Sequence, residues 1–283
     1  MGKNETALPR RAFLQRAGLL AATAGAAPVV QAQSAAASAP ADRGLWITWY
    51  DVATAARPEY LRWMHTVYLP ALLQRAGYLW AAHYQTVERM QTIRRENAVE
   101  HPAVAGVPRG RQFLLLVGAA DANVFGQLTP QALNAALPEA DRRMLALRAN
   151  ERINVMAEVG RVNGPEARGY ADGVRGTPCI QLGSFNCAVE DEEEMLAWYA
   201  QSRMPAMEKL PGCVRTRKLA SVAGWAKHAI FYEYTSLEAR NKSYLTLEDG
   251  KPEMKAWSDG MVAKLIHAPG SANLATRIWP PIV

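Results

Sequence analysis

The chain has 283 residues, of which 49% are hydrophobic and 20% are charged, and its formal net charge is +6. This composition is typical of a globular protein and excludes a disordered or collagen-like chain. Residues 1–32 hold four basic side chains and one acidic side chain, so the rest of the chain carries only +3. A basic stretch at residues 89–111 is interrupted by Glu96 and Glu100. We therefore expect no nucleic-acid partner, because phosphate binding needs a concentrated basic patch.

The N-terminal 32 residues resemble a twin-arginine export signal. Arg10 and Arg11 precede a run of small and apolar residues, and residues 30–32 have the pattern of a cleavage site. The apolar run is shorter than the roughly 20 residues that a membrane-spanning helix needs. We expect transport by the twin-arginine translocase, removal of the signal and no stable membrane anchor, which leaves a periplasmic or secreted protein. Residues 33–43 are small and polar and predict a flexible tail.

The first predicted repeat covers residues 44–165. Residues 44–52 predict a strand, and a helix is expected from about Pro58 to Gly77. Pro70 removes a backbone donor and is expected to kink or restart this helix. The remaining predicted elements are strands at 78–87, 112–119 and 152–162 and a helical region at 129–148. The order β-α-β-β-α-β is that of a ferredoxin-like domain.

A predicted linker at residues 166–176 leads into a second repeat at residues 177–283, where the same order of elements is expected. The predicted elements are strands at 177–187, 213–222, 225–236 and 272–279 and helices at 190–210 and 252–266. The acidic run at residues 190–194 opens the first of these helices. We interpret it as favourable charge at a helix N-terminus rather than as a cation site.

An internal repeat connects the two halves. Residues 59–77 recur as residues 194–212 without a gap. Six of the nineteen aligned pairs are identical: Glu59/Glu194, Leu61/Leu196, Trp63/Trp198, Pro70/Pro205, Ala71/Ala206 and Gly77/Gly212. Each copy follows one predicted strand and precedes another, so the repeated unit is a strand, a helix and a strand. The sequence therefore predicts an α+β protein built from two tandem ferredoxin-like repeats.

The repeated pattern, W-x-x-x-x-(H/Y/R)-x-P-x-(L/M) on a helix between two strands, resembles the dimeric α/β-barrel superfamily, in particular its EthD-like and antibiotic-biosynthesis-monooxygenase-like branches. The resemblance covers residues 44–279. It implies an intramolecular dimeric α/β barrel, in a monomeric pseudo-dimer or a homodimer. Members include cofactor-free oxygenases, isomerases, lyases, haem proteins and proteins of no known activity. EthD-like proteins commonly have histidine two positions before the helix proline, where this chain has Tyr68 and Arg203.

Alternation along the first strand separates two faces. Leu45 and Ile47 form an aliphatic face, which we expect to pack on the helices. The opposite face carries Trp46, Thr48 and Tyr50, and we expect it to line the barrel interior as a cavity for a small organic molecule. In the second strand, periodicity alone leaves open which face points inward.

Histidines supply the candidate proton acceptors. His65 lies one helical turn before Tyr68, so the two polar groups could converge on one ligand. His83 and His228 lie on predicted strands and could line a cavity or be hydrogen-bonded core residues. We predict a catalytic group of His65, Tyr68 and His83, with His65 or His83 as proton acceptor and Tyr68 or Arg203 as oxyanion donor. The predicted substrate contacts are Trp46, Tyr50, Trp80, Arg203 and His228.

Other site types have little support in the sequence. No two of the five histidines are two or four residues apart, so we expect no metal site. The chain also lacks G-x-S-x-G, G-x-G-x-x-G, P-loop and C-x-x-C motifs. The three cysteines are expected to be buried free thiols, with a disulfide from Cys213 to Cys179 or Cys187 as the alternative.

Three functions remain open at this point. The first is an exported enzyme of oxygenase, isomerase or lyase type that acts on a hydrophobic or aromatic small molecule without a tightly bound organic cofactor. The second is a non-catalytic protein that binds such a molecule. The third is a haem protein in which one of the histidines is the axial ligand.

Overall fold

A computed structural model describes residues 42–87, 101–170 and 176–282. The predicted export signal and residues 33–41 of the predicted tail lie outside this part of the chain. The same holds for residues 88–100 of the basic stretch and for residues 171–175 of the linker. Within the described ranges, none of the helices combines the length and the apolar character that crossing a membrane requires.

The first half follows the predicted order of elements. Its strands are β1 (Gly44–Val52), β2 (Tyr78–Thr86), β3 (Phe113–Ala119) and β4 (Arg148–Asn163). Its helices are α1 (Arg57–Trp63), α2 (Leu69–Leu73), α3 (Val124–Gln127), α4 (Pro130–Ala135) and α5 (Glu139–Leu145). The helical region predicted before β4 is thus divided into α4 and α5, because Pro138 stands between them.

The second half repeats this order with two additions. Its strands are β5 (Cys179–Asn186), β6 (Cys213–Ala223), β7 (His228–Tyr234), β8 (Ile266–His267) and β9 (Asn273–Trp279). Its helices are α6 (Glu192–Trp198), α7 (Met204–Glu208), α8 (Leu237–Tyr244) and α9 (Pro252–Lys264). Helix α8 and the short β8 were not predicted. Helix α8 begins after Ser236, whose side chain accepts a hydrogen bond from the backbone N–H of Ala239.

Both copies of the repeated helix contain a π-helical turn at the same place. Met64–Tyr68 lies between α1 and α2, and Tyr199–Arg203 lies between α6 and α7. Pro70 and Pro205 are the second residues of the α-helices that follow these turns. A proline lacks the backbone N–H that a continuous α-helix would use, so the wider turn allows the helix to restart. The restart predicted for Pro70 is confirmed.

Eight strands form a closed antiparallel barrel. Their order is β7-β6-β4-β1-β3-β2-β9-β5, and β5 pairs back with β7, while β8 adds a short pairing to β5. Each half contributes the ferredoxin-like strand order, and the halves join where β2 pairs with β9 and β4 pairs with β6. The predicted fold, two tandem ferredoxin-like repeats that close one barrel within the chain, is confirmed.

The prediction for the two faces of β1 is wrong. Leu45 and Ile47 lie in the hydrophobic core inside the barrel, together with the matching residues of β5. Trp46 and Tyr50 face the other way and pack beneath the helices of the first half. The interior of an eight-stranded barrel is just wide enough to be filled by side chains, and aliphatic and aromatic side chains fill it here. The aromatic face therefore lies between the sheet and the helices, and the predicted cavity inside the barrel is absent at this level of the described structure.

The cysteines agree with the favoured prediction. Cys179, Cys187 and Cys213 are buried free thiols. Burial raises the pKa of the Cys179 and Cys213 thiols to about 12. These two thiols are therefore expected to stay protonated and to react slowly while the protein is folded.

Candidate active site

Three predicted site residues form one hydrogen-bonded chain in the layer between the first-half sheet and its helices. The Tyr50 hydroxyl on β1 lies 2.7 Å from Nε2 of His83 on β2. Nδ1 of His83 lies 2.8 Å from Nε2 of His65 in the π-helical turn. The chain Tyr50–His83–His65 therefore runs from the sheet to the helices.

The strand register explains how the sheet places two of these side chains. β3 lies between β1 and β2, and Phe113 of β3 pairs with Tyr50 of β1 and with Gln85 of β2. The Phe113 ring centroid lies 5.7 Å from that of Tyr50 and 5.4 Å from that of His83. All three side chains therefore stand on the face that points to the helices. The structure thereby settles the orientation of His83, which the alternation of β2 had left open.

Burial decreases along the hydrogen-bonded chain from Tyr50 to His65. Tyr50 and His83 have no exposed surface, whereas His65 is half-buried. The ring of Trp279, at the end of β9, stacks near His65 with the centroids 6.3 Å apart. Among the described residues, no partner is found for Nδ1 of His65. The outer end of the chain is thus an imidazole nitrogen beside an indole ring, where an aromatic molecule could approach.

Burial keeps the three side chains of the hydrogen-bonded chain Tyr50–His83–His65 uncharged. It lowers the pKa of His83 well below the usual value, and the charges of His65 and Arg148 act in the same direction. It also lowers the pKa of His65. The pKa of the Tyr50 phenol is raised well above its usual value, first by burial and then by Tyr60. At neutral pH the chain therefore consists of two neutral imidazoles and a phenol.

Arg148 is a site residue that the sequence analysis missed. Its guanidinium carbon lies 4.5 Å from the Tyr50 ring centroid, and its Nε donates to the Tyr60 hydroxyl at 2.7 Å. Its NH1 group forms an ion pair with Glu151 at 2.7 Å. A buried cation at this position opposes protonation of His83 and favours negative charge on Tyr50. No sequence signal marked it, because it stands where the predicted helical region passes into β4.

This geometry can relay a proton. When Nε2–H of His65 donates to His83, and Nε2–H of His83 donates to Tyr50, Nδ1 of His65 is left as an acceptor. After a proton is taken up there, the Nε2 proton of His65 can pass to Nδ1 of His83, so the positive charge is shared between the two imidazoles. His83 then donates through both ring nitrogens, to His65 and to the Tyr50 oxygen, while Tyr50 keeps its own proton. The arrangement thus combines an outer acceptor with a buried relay.

Two other predicted residues lie in the same layer but outside the hydrogen-bonded chain Tyr50–His83–His65, which is called the relay below. The Tyr68 hydroxyl donates to Oδ1 of Asn134 on α4 at 2.8 Å, and its ring centroid is 5.6 Å from the Arg148 guanidinium. Burial raises the pKa of Tyr68. Trp46 donates through Nε1 to the Thr48 hydroxyl at 2.8 Å. The structure therefore places Tyr68 beside Arg148 at the edge of the site, whereas Trp46 packs against Phe125 in the same layer.

Three predicted residues lie elsewhere. Trp80 is in the core inside the barrel, where its Nε1 donates to Oδ2 of Asp42 at 2.8 Å. Arg203 forms an ion pair with Glu248 at 2.8 Å in the second half. His228, on β7, lies 3.3 Å from a carboxylate oxygen of Glu192. These residues and His65 do not converge on one site.

Of the two histidines in this hydrogen-bonded chain, His83 does not provide a haem ligand in this arrangement. An axial histidine needs one free ring nitrogen and an open face for the macrocycle. Both ring nitrogens of His83 are hydrogen-bonded, whereas Nδ1 of His65 is left as an acceptor. Among the described residues, no cluster of three His, Cys, Asp or Glu side chains is arranged to hold a metal ion.

Comparisons with known proteins agree with the fold. No protein-family model matches the chain, and no curated protein matches it in sequence. A predicted monooxygenase from Fusobacterium nucleatum is similar in structure, with a TM-score of 0.52 and 11% identity over 84% of this chain and 93% of its own. An anthrone oxidase-like protein has a TM-score of 0.54 and 10% identity over 85% and 93% of the two chains. At these identities the likeness establishes the shared barrel fold.

Proposed function

We propose that this protein is an enzyme that removes a proton from a small aromatic substrate at Nδ1 of His65. The observation that carries the proposal is the hydrogen-bonded chain from half-exposed His65 through buried His83 to buried Tyr50. A general base must be uncharged at the working pH, and burial lowers the pKa of His65 in the direction that keeps it so. The neighbouring Trp279 ring offers a stacking surface for an aromatic substrate.

The hydrogen-bonded chain Tyr50–His83–His65 stabilises the imidazolium that forms on His65 in two ways. First, His83 accepts a hydrogen bond from the imidazolium that forms on His65 and so spreads the positive charge inward. Second, transfer of the Nε2 proton of His65 to Nδ1 of His83 restores a neutral His65, and the Tyr50 oxygen accepts a hydrogen bond from Nε2–H of the His83 imidazolium. The site therefore needs no bound organic cofactor for the proton-transfer step. The oxyanion donor predicted for Tyr68 is not part of this proposal, because its hydroxyl already donates to Asn134.

Among the reaction types consistent with the sequence, we favour oxygenation. The two structural neighbours, an anthrone oxidase-like protein and a predicted monooxygenase, support this choice. Anthrone is a suitable probe, because loss of its acidic methylene proton gives an electron-rich anion that reacts with O2. One anthrone and one O2 then yield one anthraquinone and one water, so O2 is the oxidant and the proton removed at His65 leaves in water.

Anthrone oxidation by the purified protein is the direct test. Oxygen uptake and anthraquinone formation would be followed in parallel, with His65→Ala and His83→Ala as variants. We expect turnover by the wild type above the rate in buffer and a loss of about 100-fold or more in His65→Ala. Wild-type turnover of anthrone and related phenols that equals the buffer rate would contradict the oxygenase assignment. Turnover that is unchanged in both histidine variants would contradict the site.

Two controls separate the alternative functions. A binding protein would show a rise in Tm with anthrone but no product by mass spectrometry, because a ligand that binds only the native state stabilises it. A haem protein would show a Soret band after supplementation with haem, and its oxidase activity would depend on that haem. Product formed by protein without a Soret band is the result we expect.

We also propose that the protein is exported by the twin-arginine translocase and works in the periplasm or outside the cell. The paired Arg10 and Arg11 before an apolar run support this. Fractionation of cells expressing the full chain tests it. The double variant Arg10→Lys/Arg11→Lys is expected to remain in the cytoplasm, and equal export of this variant would overturn the proposal.

A further inference from the structure

A second polar feature, separate from the relay, lies at one end of the barrel. Arg152 on β4 stacks its guanidinium on the indole of Trp49, with the guanidinium carbon 3.7 Å from the ring centroid. Its NH1 group donates to the backbone oxygen of Trp225 at 2.9 Å, and its NH2 group donates to the Ser184 hydroxyl at 3.1 Å. The side chain is therefore fixed in position, and Arg152 is only 4% exposed.

This buried cation has no carboxylate partner in the part of the chain that the structure describes. Its Nε also has no hydrogen-bond acceptor there. Burial without a counter-charge lowers the pKa of the guanidinium. Buried charges are normally paired, because removing them from water is costly. Arg152 thus has the charge and the free donor that an anion would satisfy.

A second unpaired donor belongs to the same cluster. Asn273 on β9 accepts a hydrogen bond from Nε1 of Trp49 at 2.9 Å, so its amide oxygen is used. Its Nδ2 group is buried and has no acceptor among the described residues. Two buried donors without acceptors, on side chains that contact one indole ring, are unusual in a folded protein. Both of them require an acceptor rather than another donor.

Arg152 also lines an open pocket with a volume of about 430 Å³. This volume is in the range of small-molecule sites. The rest of the wall includes the apolar side chains of Ala103, Ala105, Val107, Pro108, Ile153 and Trp225. Glu151 is in the wall as well, where its carboxylate is already paired with Arg148. The pocket thus combines one unpaired cation with apolar surface and one carboxylate that would repel a second negative charge.

We propose that this pocket binds a small monocarboxylate with an apolar body, and that Arg152 anchors its carboxylate. The carboxylate supplies the acceptor and counter-charge that Arg152 lacks, and the apolar body packs against the loop at residues 103–108 and Trp225. Glu151 selects against dianions by like-charge repulsion. This site does not depend on the proton-transfer function, since Trp49 and Tyr50 point to opposite faces of β1.

Thermal unfolding of the purified protein with benzoate tests the proposal. Benzamide is the control for charge, because it has the shape of benzoate but is neutral. Acetate is the control for the apolar body, because it has the carboxylate alone. Sodium chloride is added so that all samples have the same ionic strength. At about 10 mM benzoate we expect a saturable rise in Tm, a smaller rise with acetate and none with benzamide. Equal stabilisation by benzoate and benzamide would overturn the proposal.

Two variants assign the effect to the pocket. Arg152→Lys keeps a positive charge but loses the planar fork and the stacking, and we expect benzoate affinity to fall at least about tenfold. Ala105→Phe fills the pocket from an exposed loop position without touching Arg152, and it should abolish the shift even if Arg152 variants fail to fold. His65→Ala should bind benzoate like the wild type. Undiminished binding by Ala105→Phe would place the ligand elsewhere and refute the assignment.

Discussion

The two halves of the chain share a scaffold but differ in the layer between sheet and helices. The scaffold repeats closely, with a π-helical turn and a following proline at matching positions. The two halves align at a constant offset of 135 residues, and at this offset each site residue of the first half is matched by a different residue type in the second half. The pairs are Tyr50/Phe185, His65/Ala200, Tyr68/Arg203 and His83/Lys218. The relay is thus specific to the first half.

The second half shows what the same layer looks like without a relay. Lys218 points its Nζ at the Tyr199 ring, 5.3 Å from the centroid, and Phe185 has no hydroxyl to offer. Phe185 lies between His228 and His267, with centroid distances of 6.1 and 5.6 Å. His228 bonds to Glu192 instead. The two layers thus share a scaffold, and differences at a few side chains confine the hydrogen-bonded chain Tyr50–His83–His65 to the first half of the described structure.

The largest expected difference between the halves is in catalysis. His65→Ala should reduce anthrone turnover by about 100-fold or more, because it removes the proton acceptor. Its matched control is Lys218→Ala, which changes a polar residue in the same layer of the second half and should leave turnover within about twofold. The stability of both variants would be checked by thermal unfolding. A larger loss in Lys218→Ala than in His65→Ala would move the site to the second half.

Tyr50→Phe makes the first half resemble the second at this position. It leaves Nε2 of fully buried His83 without a partner, so the free energy of unfolding should fall by about 1–3 kcal/mol. The control is Tyr68→Phe, whose hydroxyl bond to Asn134 is less buried and should cost about 0.5–1.5 kcal/mol. Urea unfolding measures both values. If the two variants lose the same free energy of unfolding, the hydrogen bond from Tyr50 to His83 stabilises the fold no more than the bond from Tyr68 to Asn134.

Stability should depend on pH through the relay histidines. His65 and His83 have a lower pKa in the folded protein than the roughly 6.5 of an unfolded chain. Above that pH both states are neutral and the histidines do not affect stability. Below it only the unfolded chain takes up protons, so stability falls with decreasing pH, by up to about 1.4 kcal/mol per unit and histidine, until the folded pKa is reached.

Tm measured from pH 7.5 to pH 5 would show this effect. In the double variant His65→Gln/His83→Gln, Tm should fall less between pH 7.5 and pH 5 than in the wild type. His228→Gln is the matched variant in the second half, and its effect should be smaller. The pKa of half-buried His228 is lowered by burial, but Glu192 counteracts that shift. Identical slopes for the wild type and the double variant would contradict the burial of neutral histidines in the first half.

The smallest expected effects concern the shared scaffold. Trp63 donates to Asp141 at 2.8 Å, and Trp198 donates to the Ser258 hydroxyl at 3.2 Å. Trp63→Phe and Trp198→Phe should each lower the free energy of unfolding by about 1 kcal/mol, because each loses one indole hydrogen bond. Anthrone turnover should be unchanged in both. A selective loss of activity in Trp63→Phe would show that this residue belongs to the site rather than to the scaffold.

Much of the candidate site was visible in the residue types. His65 and His83 were singled out because an imidazole can accept a proton, and Tyr50 was predicted as a substrate contact on the aromatic face of the first strand. Their hydrogen bonds could not be predicted, because Tyr50 and His83 reach each other only across β3. Arg148 and Trp279 could not be predicted either. Each stands at the end of a strand and joins the site through strand pairing, which leaves no local pattern in the sequence.

The sequence by itself determined the architecture. The recurrence of residues 59–77 as 194–212, together with the order of strands around each copy, was sufficient for two ferredoxin-like repeats, because element type follows from local periodicity and turn residues. Only the tertiary structure decided which face of β1 is enclosed. Alternation separates two faces, but barrel closure, which depends on pairings across the whole chain, sends Leu45 and Ile47 inside and leaves Tyr50 to meet His83 beneath the helices.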